Sequence, residues 1–168
     1  LAYMIIQKTI QAIKSMTKAG CELDATLTEF NKVADLSTEQ LEEFADKAFE
    51  AADKIGRTGK DMIEAATEFK RAGYDLEQSL EMGNAALVMT NVADGISQTS
   101  DAAGTLISVL KGFNISDADI MSIVDKMNSV SNQSPVGFDN LADGLERISG
   151  TMSQAGNSID ETIGLLTG

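Results

Sequence analysis

Three stretches of the chain hold residue types whose spacing suggests chemistry. "IGRTGKD" at Ile55 to Asp61 sets Gly59 before Lys60, the pairing with which a phosphate loop wraps backbone amides and an ammonium around a nucleotide. That loop also needs a glycine where Lys54 stands, a hydroxyl where Asp61 stands and a strand before it. A connection between helices is therefore expected, with Gly56 stopping one and Thr58 capping the next. "DAD" offers Asp117 and Asp119 as oxygen ligands, but the glycine and distal glutamate of a calcium loop are missing at the required offsets. Two acids in a first helical turn complement the helix dipole instead. Cys21 is the sole thiol; it precedes an acidic helix start, which discourages the thiolate, and it has no partner for an intramolecular disulfide. Histidine is absent altogether. That removes the usual base near neutral pH, the Ser-His and Cys-His pairs, the Glu-x-x-His di-metal site and the commonest zinc ligand. No catalytic, cofactor-binding or metal site is expected, and eight scattered methionines read as core filling.

Charge narrows the partners. Against 26 Asp and Glu stand 13 Lys and Arg, a net charge of -13, so a nucleic-acid backbone is repelled and no direct binding to one is expected. Cations free of acids occur only at the start, where Lys8, Lys14 and Lys18 precede Glu22. Apolar runs such as Met4 to Ile6 are far short of the roughly 20 residues of a membrane span, and the first residues lack the parts of a signal peptide. Because the chain does not open on Met, it reads as a piece of a larger protein.

The elements that would position any site are helices. Pro135 is the only proline, and helix formers are dense. Apolar residues recur at helical spacing along Leu41, Phe44, Ala45, Ala48, Phe49 and Ala52, along Leu106, Val109, Leu110 and Phe113, along Ile120, Ile123, Val124 and Met127, and along Leu141, Leu145, Ile148 and Met152. Between such stripes one phrase repeats: "AGCELDATL" from Ala19, "AGYDLEQSL" from Ala72 and "AGNSIDETI" from Ala155, with "FNISDADIM" as a looser copy. It combines a helix stop with a helix start. Gly20, Gly73, Asn114 and Gly156 take the left-handed position past a helix end. The residue after each folds back onto one five positions earlier: Cys21 onto Met16, Tyr74 onto Phe69, Ile115 onto Leu110; Asn157 on Met152 lacks the apolar partner. Asp75 with Gln78 and Ser158 with Glu161 then have capping-box spacing, Ser116 with Asp119 is a weaker version, and Glu22 is a poor cap.

Gly73, Asn114 and Gly156 lie 41 and then 42 residues apart, as in helical-repeat arrays, whereas Gly20 precedes Gly73 by 53. The expected fold is all-α, an irregular array or bundle of about eight short helices whose tight connections make neighbours antiparallel. Spans of 1–19, 22–34, 38–56, 60–72, 76–93, 100–113, 117–130 and 138–155 are expected, with a last piece from 159. Residues 1–36 read as an N-terminal helical hairpin. The uncharged stretch "SVSNQSPVG" makes 129–137 the expected hinge. The same stops predict a compact module for the isolated segment, where one straight helix of 168 residues would span roughly 250 Å.

Function does not follow from periodicity. The phrases "FKRAGYDLEQSLEMGNAAL", "VLKGFNISDADIMSIVDKMNSVSNQSPVGFDNLADGLERIS" and "AGNSIDETIGLLTG" together, in that order and spacing, resemble the core region of phage tail tape measure proteins. The resemblance begins at Ser37, is clearest from Thr58 to Gly168 and covers about three quarters of the chain, making 37–168 a tape-measure-like helical core. The middle unit departs from the family: "DKMNSVSN" is larger and more polar than the small residues usual there. The resemblance implies a structural, non-enzymatic segment of a long protein in the virion tail. That protein fills the tube lumen, helps set tail length in the host cytoplasm during assembly and takes part in DNA ejection. Implied partners are the tail tube protein, the tail assembly chaperone and baseplate proteins, with a homo-oligomer possible. The alternative is a secreted bacterial helical adaptor or toxin-associated interaction domain. Its usual Trp-x-Gly turn is missing, since the chain has no tryptophan.

Overall fold

Residues that tolerate a left-handed backbone close several of the helices, and oxygen-bearing side chains open four of them with complete capping boxes. The computed structural model describes residues 20–168, and these form eight α-helices and one 3-10 turn, with no strand among them. The helices are α1 over residues 20–34, α2 Thr38–Lys54, α3 Gly59–Arg71, α4 Leu76–Val92, α5 Thr99–Phe113, α6 Ile120–Gln133, α7 Phe138–Gln154 and α8 Ile159–Thr167. The 3-10 turn is Asp117–Asp119.

The stop after α3 shows how a helix is turned back. Gly73 sits at φ 98°, its N–H donates to Lys70 O (3.1 Å), and the Tyr74 N–H donates to Phe69 O (3.2 Å), so two carbonyls left open by the helix end are satisfied. The Tyr74 ring meets the Phe69 ring edge-on at 6.1 Å, which shields those bonds. Asn114 (φ 51°) does the same after α5, with the Ile115 N–H on Leu110 O at 2.9 Å. Gly156 follows after α7, where the Asn157 N–H reaches Met152 O at 3.0 Å. Here no apolar residue covers the turn; the Asn157 side-chain amide donates to that same carbonyl at 3.4 Å instead.

Starts are equally local. Ser37 with Gln40, Thr58 with Asp61, Asp75 with Gln78 and Ser158 with Glu161 all form complete capping boxes. In the last, Glu161 Oε2 accepts from the Ser158 N–H at 2.7 Å, and this backbone bond, with the Ser158 hydroxyl, holds the Glu161 carboxyl below the usual range. Ser116 departs from the expectation. Its hydroxyl accepts from Ala118 N at 3.4 Å and caps only the 3-10 turn; α6 starts later, at Ile120, behind Asp119, which makes no side-chain cap bond. One turn of 3-10 bonding has used up residues that the spacing assigned to the α-helix.

Gly20 requires a correction. It is helical, its φ is not positive, and α1 runs through Gly20, Cys21 and Glu22 rather than starting after them. An exposed glycine within a helix costs only about 1 kcal/mol, and no competent cap follows it, so nothing compels a stop. The expected helix over 1–19 and the Met16 side of the Met16 and Cys21 contact lie outside the described residues. The actual stop is at Asp35 (φ 53°), where Asn31 clasps the turn: Asn31 Oδ1 accepts from the Leu36 N–H at 2.8 Å and Asn31 Nδ2 donates to Leu36 O at 3.1 Å. The left-handed residues closing α1, α3, α5 and α7 are therefore Asp35, Gly73, Asn114 and Gly156, at intervals of 38, 41 and 42 residues. The irregular interval of 53 disappears.

That period is a stacking distance. Helices α3 and α4 form an antiparallel hairpin, since Arg57 at the start of α3 donates to Asn91 at the end of α4 (3.3 Å). Helix α5 packs on α3 and runs parallel to it: Lys111 Nζ, near the end of α5, donates to Ala72 O at 2.6 Å. Helix α7 packs parallel on α5, with Gly95 beside Asp139 before and at their starts, Thr105 Oγ1 donating to Glu146 Oε2 (3.3 Å) midway, and Gly112 against Ser149 near their ends. The returning helices α2, α4 and α6 pack in the same sequence. Four hairpins thus stack as two layers, α1, α3, α5, α7 and α2, α4, α6, α8.

Packing follows from that order. Central helix α4 buries Ser79, Met82, Gly83, Ala85, Ala86, Leu87 and Met89, with neighbours on both sides. Leu87 belongs to a core with Phe30, Phe44, Ala48, Met62 and Ile63, in which the Phe30 and Phe44 rings stack at 4.1 Å. Met82 and Met89 belong to the other, with Leu106, Val109, Met127, Leu141 and Leu145. The expected stripe on α2 narrows: Phe44, Ala48 and Ala52 are buried, while Phe49 is 43% exposed and lies over Gly59. Of the expected hinge, 129–133 are helical, leaving Ser134 to Gly137 as the connection.

Two outcomes follow for thermal melts followed by circular dichroism. Gly73→Ala introduces a Cβ at φ 98° and costs about 1–2 kcal/mol, lowering Tm by roughly 2–6 °C, whereas Gly20→Ala raises it by about 1–3 °C. A Cβ at Gly112 would lie 2.4 Å from Ser149 Cβ and 3.0 Å from Gly150 N, so Gly112→Ala must part α5 from α7 and costs about 1–3 kcal/mol. Gly150→Ala, with open space around its Cβ, leaves Tm unchanged or raised.

Candidate functional site

Buried hydroxyls are the first place to look for a nucleophile, and here they are spoken for. Thr67 donates to Ile63 O (2.6 Å), Thr162 to Ser158 O (2.8 Å) and Ser149 to Leu145 O, each closing a bond within its own helix. Buried Ser79 does likewise with Asp75 O at 2.5 Å. None faces a base. Cys21 is exposed on α1.

Acidic groups gather between α5 and α7, where Asp101, Asp139, Asp143 and Glu146 line a cleft of about 290 Å³. They do not converge: among the described residues no three His, Cys, Asp or Glu side chains are placed to hold a metal ion. Asp117 of the "DAD" stretch accepts from Gln78 Nε2 at 2.6 Å, a bond between the starts of two returning helices. The "IGRTGKD" stretch joins α2 to α3, with Gly56 at φ 70° and Thr58 in its capping box with Asp61. Arg57 in this turn keeps one buried nitrogen, Nε, without a hydrogen bond, with Asp61 Oδ2 3.7 Å away.

What the structure does bring together is the row of helix turns. Gly73 and Asp75 lie in the turn between α3 and α4, and Asn114 and Ser116 in the turn between α5 and the 3-10 segment. Lys111 spans the two: its ammonium donates to Ala72 O and stands 5.7 Å from the Tyr74 ring centre. Asp117 beyond the second turn faces the Tyr74 phenol, whose pKa is raised first by burial and then by that carboxylate. Gly156 and Ser158 lie in the last turn, held to α6 through Lys126 and Asp160 (2.7 Å). Gly20 is on α1, away from any turn among the described residues. Asp35 and Asn31 were missed because Asp more often opens a helix than closes one; the bridging Lys111 gives no local signal, since its partner lies 39 positions away.

The arrangement is a stack of hairpins whose turns are tied to one another by hydrogen bonds and an ion pair. Among the described residues no helix is long and apolar enough to cross a membrane. No solved structure matches the chain significantly. A family model described as "Phage-related minor tail protein" matches residues 45–168, from within α2 through α8. The match takes in three of the four stacked hairpins and most of the chain's length, and the chain accordingly belongs to the phage-related minor tail proteins.

Proposed function

We propose that this chain is a segment of a tail tape measure protein, a non-enzymatic structural part that helps set tail length during assembly and takes part in DNA ejection. The observation that carries the reading is the family match over 45–168 laid on a stack of hairpins whose buried polar groups serve the fold itself. The phrases from Phe69 to Leu87 and from Val109 to Ser149, which resemble tape measure cores, map onto α4 and onto α5 through α7. On this reading the parent protein occupies the tube lumen of the virion tail, after assembly in the host cytoplasm. Its partners are the tail tube protein, the assembly chaperone and baseplate proteins, and copies of it associate within the tube.

The charge fits a filler of a channel that DNA later passes. At -13 the chain repels phosphates and leaves the genome free to move.

Removing the segment in frame from the parent phage and measuring tails by electron microscopy tests the measuring role. Shortening is expected, by up to roughly 250 Å if the segment lies extended as helix in the tail; unchanged length overturns measurement and leaves local docking. Titrating the chain against duplex DNA at physiological salt should give affinity no better than roughly 0.1 mM, the weak end of nonspecific binding. Tighter binding overturns the role of the charge.

A further inference from the structure

The returning layer carries a feature the stack does not use. Helices α2 and α4 touch only lightly, and between them runs a trough of about 620 Å³ with Phe44, Leu76 and Leu80 on its floor. On the other side of Leu80 and Glu81 a second trough of about 470 Å³ continues toward α6, floored by Ile55, Ile120 and Met121. The two share that stretch of α4, so they form one apolar strip across three returning helices. Met121 is 38% exposed, and Leu76, Leu80 and Ile55 are only partly covered.

The rim is acidic. Five carboxylates border the strip, from Glu43, Asp75, Glu77, Glu81 and Asp117, against the two ammonium groups of Lys47 and Lys54. Both cations are already engaged, Lys47 with Glu43 (2.7 Å) and Lys54 with Glu50 (2.8 Å). Asp75 caps α4 and Asp117 holds Gln78; Glu77 adds its field to that of Glu43 at Lys47, and among the described residues Glu81 has no ion-pair partner. An occupant must therefore supply apolar side chains along a line, with cations on both flanks. A trough walled by two helices accepts the ridge of a third.

We propose that this strip docks an amphipathic helix of another protein, one with Leu, Ile or Met at i, i+3 or i+4, and i+7 and with Lys or Arg beside them. Apolar contact with Leu80 and Met121 supplies most of the affinity, while the unpaired Glu81 and the acidic rim around it select for positive flanks and speed the encounter. The inference stands apart from the tape measure reading, because the trough binds such a helix whatever the particle in which the chain works.

The test uses the full chain and a fluorescent peptide of about 18 residues, long enough for five helical turns, with leucines on one face and lysines on the other. Fluorescence anisotropy is read near 0.15 M salt, where loose charge attraction is screened beyond about 8 Å. The helical peptide should bind at least about tenfold more tightly than the same residues in scrambled order. Glu81→Lys and Met121→Lys, both at exposed positions, should each weaken binding about tenfold or more with unchanged melting curves, while Glu64→Lys in the other layer should not. Equal binding of ordered and scrambled peptides, or no effect of Glu81→Lys, overturns the proposal. A dimer in sedimentation that Met121→Lys dissolves also overturns it, by making a second copy the occupant. So does a tenfold gain in peptide affinity on changing Lys8, Lys14 and Lys18 to Glu, which would assign the trough to the chain's own first residues.

Discussion

A single backbone conformation governs this fold. At Asp35, Gly73, Asn114 and Gly156 one residue enters the left-handed region, and within two or three positions the chain is committed to a new helix running back along the old one. Left-handed backbone is costly for most residues, so each site is occupied by glycine, asparagine or aspartate, and each is held by a main-chain bond to the preceding helix. With the connections at Gly56, Gly95 and Ser134 to Gly137, these reversals lay the apolar stripes over one another; without them each stripe would lack a partner helix to cover it.

Reversal at a near-constant interval then dictates the packing. Equivalent helices of successive hairpins fall side by side and parallel, so side chains about 40 positions apart become neighbours, as Gln78 and Asp117 or Thr105 and Glu146 do. Close approach requires small residues where backbones cross. Gly83, whose Cβ would stand 3.0 Å from Ala66 N, permits it between α3 and α4, and Gly112 permits it between α5 and α7. Among the described residues the main helix contacts join adjacent hairpins, which is the economy of repeat proteins in general.

Much of this was legible in the sequence, for a physical reason. A glycine stop followed by a capping box is written in six or seven consecutive residues, so the turns at Gly73 and Gly156 could be located without knowing what packs on them. Asn114 was legible because asparagine tolerates the left-handed region. Gly20 misled because glycine permits that conformation without enforcing it, and Asp35 stayed hidden because its turn is secured by a side chain four residues back, Asn31. Stripe membership failed for Phe49, where two faces of α2 are both apolar and only the neighbouring helix decides which is inside. The acidic-rimmed strip had no sequence signature at all, since α2, α4 and α6 come together only once the hairpins stack.

The stacking has a metrical consequence. A hairpin of about 41 residues advances the pile by one helix-to-helix spacing, about 8–10 Å, whereas the same residues drawn into a straight helix extend about 60 Å. Opening the turns at Gly73, Asn114 and Gly156 together with the connections at Gly95 and Ser134 to Gly137 would therefore convert folded chain into reach at a ratio near sixfold, one hairpin at a time, because each unit is bound chiefly to its immediate neighbours. A stack of this kind stores length.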